Sequence, residues 1–257
     1  MYDASRPISL THRLTRQGGL LSPLLFAVYM DVLIIKLRDA GFGCKLAQRY
    51  SGCLLYADDI VLLAPSLNAI CKMLSVCEEF AWEYDMKFNS SESVAMRIGE
   101  RYKVKCEPLP LHGSELQFVE MLKYLGVQFV AAKKLACSVE NVRVKCYRTF
   151  SAIYSRSKGA QSDMFTLQLV KSYCLPFMLY ATEVMPLLEC SLKSLDFCVR
   201  QVVAKVFSVQ DNNCIAEIRK FCDLPYIGVL IERRRLQFVE NLFADEQLTY
   251  LFRLRLC

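Results

Sequence analysis

Apolar residues along this chain recur first as short runs between turn-forming residues and later, from about residue 137, only at helical spacing. From Leu24 to Leu37, the residues Leu25, Phe26, Tyr29, Leu33 and Leu37 return every three or four positions. That rhythm gathers side chains on one helix face. Ser22 and Pro23 supply an N-cap and a first helical residue. Gly41-Phe42-Gly43 supplies the stop. A second helix is predicted from Pro65-Ser66 through Trp82, with Ile70, Leu74, Cys77, Phe80 and Ala81 on its apolar side. Between the two, Cys53-Leu54-Leu55 and Ile60–Ala64 read as strands. Lys87-Phe88-Asn89 leads into a strand expected around Val94–Ile98. Tyr124-Leu125-Gly126-Val127, flanked by Phe118-Val119 and Phe129-Val130, reads as a further hairpin or strand pair. From Ser138 onward, Val142, Cys146, Phe150 and Ile153 share one helix face and Lys145, Arg148 and Arg156 another. More helices are predicted over 162–174, 191–208, 214–222 and 228–243. The pattern is α+β: antiparallel strands with packed helices over 1–136, then an all-helical region over 137–257.

The break in the first strand pair is Tyr56-Ala57-Asp58-Asp59. Two carboxylates between apolar strands cost several kcal/mol if buried unpaired. A hairpin that presents them at its tip avoids that cost and brings both toward one site. Such a pair suits Mg²⁺, which takes oxygen ligands and is held by one or two carboxylates plus substrate phosphates. The plain alternative is a polar turn in a surface hairpin.

The neighbourhood of the pair narrows these alternatives. Upstream stands Arg16-Gln17-Gly18-Gly19-Leu20-Leu21-Ser22-Pro23-Leu24-Leu25-Phe26, and downstream Leu122-Lys123-Tyr124-Leu125-Gly126-Val127. RQGxxLSPxLF, YADD and KYLGV in that order resemble the palm of a reverse transcriptase. The closest resemblance is to non-LTR (LINE-type, jockey-like) retrotransposon enzymes, from about Arg16 to about Leu242. The resemblance implies a partial polymerase palm followed by a helical thumb. It implies template-directed nucleotidyl transfer with Mg²⁺ on Asp58 and Asp59. It places Gln17 and Gly18 against the incoming nucleotide and template, with Tyr56 beside the acidic pair. Tyr124, Leu125 and Gly126 would grip the primer end, and Lys87 would protonate the pyrophosphate leaving group. The partners implied are an RNA template, a DNA primer and deoxynucleoside triphosphates. The basic face of Lys145, Arg148 and Arg156 beside such a palm suggests contact with the duplex backbone, where Lys and Arg displace counterions; the alternative is a merely solvated helix face. The Arg233–Arg235 run offers contacts to phosphate, but a solvated charge run is the preferred reading.

One element of that palm has no counterpart here. Its further metal-binding carboxylate lies on an earlier strand of the form F-D-x-x-x-A-F. The residues ahead of Arg16 hold only Asp3, without apolar flanks. The chain is therefore expected to represent the C-terminal part of the enzyme, without fingers, and to be inactive alone. The competing expectation is a non-catalytic remnant that binds nucleic acid or a partner.

Composition changes this picture little. Apolar residues make up 54% of the chain, enough for a real core, and the net charge of +6 is weak support for nucleic acid. The 13 cysteines are odd in number, none forms a C-x-x-C pair, and only two histidines exist, so buried free thiols are expected rather than disulfides or a zinc knuckle. No apolar run approaches the roughly 20 residues of a membrane span. No secretory leader is read, so an intracellular location, nucleus or cytoplasm, is expected. The oligomeric state is not legible.

Overall fold

Helix α1 (Ser22–Asp39) buries Met30, Leu33 and Leu37, three side chains at a spacing of three and four. It opens the residues described in this computed structural model, which are 22–46, 49–157 and 162–244. The expected apolar face is rotated slightly: Met30 is in the core, whereas Leu25 is 41% exposed. Past its end the chain turns at Gly41, where φ is +76°, a value glycine adopts without strain. Helix α2 (Leu67–Glu83) packs against α1 through Met73, Cys77 and Phe80. Its start is fixed by Ser66, whose hydroxyl accepts the Ala69 N–H at 3.2 Å, an N-cap contact worth about 1 kcal/mol. Tyr29 meets Phe80 and Tyr84 edge-on at 6.3 and 4.9 Å, and Lys36 pairs with Glu83 across the two helices.

The strands form small antiparallel pairs. They are β1 (Lys45–Leu46) with β2 (Arg49–Tyr50), β3 (Cys53–Tyr56) with β4 (Asp59–Leu62), and β5 (Leu109–Leu111) with β6 (Ser114–Leu116). A three-stranded sheet runs in the order β7 (Met121–Tyr124), β8 (Val127–Val130), β9 (Ala136–Ser138). Cys53, Leu55, Ile60 and Leu62 of the β3–β4 hairpin pack on the α1–α2 core. Val94–Ile98 is not a strand. Ala95 makes an isolated bridge to Phe118, and the chain then turns at Gly99 (φ +125°). There Arg97 donates to the carbonyls of Arg101 and Val104, which holds the segment in a loop instead of a ladder.

The chain divides into two units. Of the described residues, one unit gathers those up to Ala95 with Lys105–Phe118; the other gathers Met96–Val104 with those from Val119 onward. The second unit contains β7–β9 and five helices among the described residues: α3 (Glu140–Ser157), α4 (Asp163–Met178), α5 (Glu189–Phe207), α6 (Asn212–Phe221) and α7 (Ile227–Ala244). Cys146 and Phe150 are buried, and Val142 and Ile153 pack beside them, the face read from the sequence. Ser162 and Asp211 cap α4 and α6 by accepting from Phe165 N–H and Cys214 N–H. The core is apolar, with Leu195, Val202, Val203, Ile227 and Ile231 almost fully enclosed. Every cysteine among the described residues is a free thiol. No described helix is long and apolar enough to cross a membrane.

Candidate functional site

The β3–β4 register pairs Cys53 with Leu62 and Tyr56 with Asp59, which leaves Ala57-Asp58 as a two-residue turn. Ala57 has φ +52° and Asp58 does not share the positive φ. Positive φ at the first turn position alone is the pattern of a type II′ hairpin turn, where glycine is the usual residue. The turn places Asp58 at the tip and Asp59 at the first position of the returning strand. Tyr56, Ala57, Asp58 and Asp59 are all exposed. Neither carboxylate joins an ion pair or side-chain hydrogen bond among the described residues. The apolar neighbours, half-buried Leu55 and Ile60, anchor the hairpin below them.

An oxygen-only donor pair in open solvent fits a hard divalent cation that keeps waters and phosphate oxygens in its remaining positions. It is not a closed metal cage: among the described residues no group of three or more His, Cys, Asp or Glu side chains could hold a metal.

The other sequence-derived residues fall in several places. Gln17 and Gly18 lie outside the described residues. Lys87 is exposed in the segment leaving α2, within the same unit as the acidic pair. Tyr124, Leu125 and Gly126 belong to the second unit, at the β7–β8 hairpin, where Tyr124 pairs with Val127. Leu125 and Gly126 both have positive φ, +45° and +81°, the pattern of a type I′ turn. Tyr180 donates its hydroxyl to the Leu125 carbonyl at 3.0 Å. Lys145, Arg148 and Arg156 are exposed on α3, with the Lys145 ammonium 4.7 Å from the Phe177 ring centre.

The arginine run on α7 departs from expectation. Arg235 donates to the carbonyls of Thr182 and Met185, and Arg234 pairs with Glu183 at 3.5 Å. Two of the three guanidiniums therefore clamp the turn after α4 and are not simply solvated. Sequence reading also missed Arg219, which is buried and bound by both carboxylate oxygens of Asp196. No local signal marks it, since its partner lies on another helix.

Comparison with known proteins bears on the segment that holds these hairpins. Residues 5–129 match the family model "Reverse transcriptase (RNA-dependent DNA polymerase)". The chain is 29% identical over 146 residues to the Retrovirus-related Pol polyprotein from type-2 retrotransposable element R2DM of Drosophila melanogaster, covering 53% of this chain and 14% of that protein. It is 31% identical over 123 residues to the Retrovirus-related Pol polyprotein from type-1 retrotransposable element R2 of Nasonia vitripennis, covering 44% of this chain and 12% of that protein. The chain thus spans a small part of the length of these relatives. Over residues 5–129 it carries a match to the reverse transcriptase domain, and it has homologues among retrotransposon Pol polyproteins.

Proposed function

We propose that this chain is part of the reverse transcriptase of a non-LTR (LINE-type, jockey-like) retrotransposon, with palm elements over 1–136 and a thumb over 137–257. The observation that carries the reading is the exposed Asp58–Asp59 pair, with no ion pair among the described residues, at a hairpin tip inside the segment that matches the family. The R2 relatives support the retrotransposon class, and the RQGxxLSPxLF, YADD and KYLGV wording supports the finer branch. The change to helices at Glu140 supports a thumb.

In the intact enzyme Asp58 and Asp59 would hold Mg²⁺, which would supply charge stabilisation to an in-line phosphoryl transfer. The hairpin keeps both carboxylates solvent-facing, with no competing cation among the described residues. Gln17, Gly18 and Tyr56 position the incoming nucleotide against the template. The rigid turn at Leu125-Gly126 and the Tyr124 ring position the primer end. Lys87 delivers a proton to the leaving pyrophosphate. Lys145, Arg148 and Arg156 neutralise duplex phosphates.

The second reading for this polypeptide by itself is non-catalytic: nucleic-acid or partner binding is what residues 1–257 retain. The site is tested by titrating Mn²⁺ into the protein and following water-proton relaxation. A weak site that disappears in Asp58→Asn and Asp59→Asn is expected. Equal Mn²⁺ binding by the protein and both variants would contradict the assignment.

A further inference from the structure

The helical unit carries an open groove of about 430 Å³ beside the first half of α5 and the start of α7. Glu189, Lys193, Asp196, Phe197, Arg200 and Tyr226 line it. Most of its charges are already engaged. Lys193 pairs with Glu189 at 2.7 Å. Asp196 accepts from Arg219 at 2.8 and 2.9 Å and from the Ile227 N–H at 3.0 Å. Arg200 is the exception. It has no ion pair among the described residues, and its Nε is buried without a hydrogen-bond partner. Its guanidinium lies 5.8 Å from the Phe197 ring centre.

Two rings stand open in the same groove, Phe197 at 45% exposure and Tyr226 at 58%. The Tyr226 ring is backed by the buried Arg219 guanidinium, 4.4 Å from its centre. A cation on one face of a ring draws π density toward it. The other face then stacks more favourably on an electron-rich planar partner.

We propose that this groove binds an unpaired nucleotide of a single-stranded nucleic acid, with the base stacked on the Tyr226 and Phe197 rings and a phosphate on Arg200. Aromatic platforms beside a free cation are the means by which single strands are held without sequence reading. An acidic peptide would use Arg200 but leave both ring faces without a planar partner. The ring faces do not read the 2′-hydroxyl and the Arg200 guanidinium is engaged by phosphate, so RNA and DNA strands are expected to bind alike. The proposal rests on the polymerase reading of the chain. It adds a site outside residues 5–129, where the family match ends.

The test uses the 257-residue protein with a short 4-thiouridine-labelled oligonucleotide and with fluorescein-labelled RNA and DNA strands. Photocrosslinks in the unmutated protein are expected in the peptides holding Phe197 or Tyr226. Phe197→Ala and Tyr226→Ala should each weaken single-strand affinity at least about fivefold, since base stacking on a ring is worth roughly 1–3 kcal/mol. Arg200→Gln should lower the salt slope by about 0.7, the share of one phosphate contact in a single strand. Crosslinks confined to the α3 face, unchanged affinity in both ring variants, or stronger binding of an acidic peptide than of an oligonucleotide would overturn the groove. RNA–DNA heteroduplex binding and the Mn²⁺ titration at Asp58 and Asp59 report on the polymerase reading separately. If they succeed while the groove tests fail, only the groove proposal falls. If they fail while the groove crosslinks appear, only the polymerase reading does.

Discussion

Tyr180, the second residue past helix α4, fastens that helix end to the turn of a hairpin 55 positions earlier, donating its hydroxyl to the Leu125 carbonyl at 3.0 Å. The same ring limits the next residue. A Cβ on Gly126 would stand 3.3 Å from Tyr180 Cε1, and Gly126 has φ +81°. Glycine at 126 thus meets a backbone demand and a packing demand together.

Gly126→Ala is expected to destabilise the helical unit by about 1–2 kcal/mol, from left-handed strain plus crowding of the Tyr180 ring. Tyr180→Phe should cost about 0.5–1 kcal/mol, because Leu125 is an exposed turn residue and the carbonyl left behind can turn to water. In a Tyr180→Ala background the Gly126→Ala penalty should shrink, since only the backbone strain remains. Urea unfolding followed by circular dichroism measures the cycle, and strict additivity would count against the packing argument.

A second relationship holds the helices themselves together. Arg219 is 5% exposed and spends its donors on Asp196 and on the carbonyls of Leu224 and Pro225. Removing one partner of such a pair leaves a buried charge uncompensated, at roughly 3–5 kcal/mol. Asp196→Ala is therefore expected to lower the denaturation midpoint of the helical unit sharply. Replacing both, Asp196→Leu with Arg219→Met, should cost less than Asp196→Ala alone. A double variant worse than that single variant would show that the pair is net stabilising beyond its mutual compensation.

What the sequence reveals of this fold follows the range of the interactions involved. Helix α2 was legible because its cap, Ser66, and its face, Leu74, Cys77, Phe80 and Ala81, are local signals. The β3–β4 hairpin was legible because the carboxylates of Asp58 and Asp59 separate two apolar runs, and a one-residue slip would turn the wrong side chains to the core. Val94–Ile98 was misread because a strand needs a partner, and only Ala95 finds one, at Phe118. Arg234 and Arg235 looked like a solvated run because the acceptors that hold them, at Thr182, Glu183 and Met185, lie some fifty residues away. For the candidate site, the exposure of Asp58 and Asp59 was legible. The positive φ of Ala57 was not, since alanine carries no signal for it.

The buried thiols predict a pH dependence. Burial pushes the Cys53 thiol up to about 11 and the Cys77 thiol up to about 12, from an ordinary value of 9.0. In the unfolded chain both ionise near their ordinary value, while in the folded chain they stay neutral. Their contribution to stability is intact below about pH 9 and is lost as pH rises through 11 to 12. The urea midpoint of the α1–α2 unit should fall across that window, and less steeply in Cys53→Ala. Native-state alkylation at pH 8 should label exposed Cys190 and spare Cys53 and Cys77. Early labelling of Cys77 would place it outside the core.

The last prediction concerns activity. Asp58 and Asp59 supply two carboxylates to a cation that demands near-octahedral oxygen ligation. Among the described residues no third acidic side chain completes a metal group with them. A cation held by the hairpin alone is anchored on one side only, and its position against a reacting phosphate is left to solvent and substrate. Loss of a single hydrogen-bond donor to transition-state charge already slows an enzyme about 10²–10³-fold. Loose placement of the charge itself should cost at least as much, and misorientation of primer and nucleotide adds to it. With the hairpin pair as the whole of the metal site, the polypeptide 1–257 would bind Mn²⁺ weakly, would bind an RNA–DNA duplex in a salt-dependent way, and would not extend a primer. Primer extension on an RNA template with Mg²⁺ or Mn²⁺ tests this beside Asp58→Ala. Extension by the unmutated chain that is absent in Asp58→Ala would show that the acidic pair suffices for catalysis and that the expectation of inactivity is wrong.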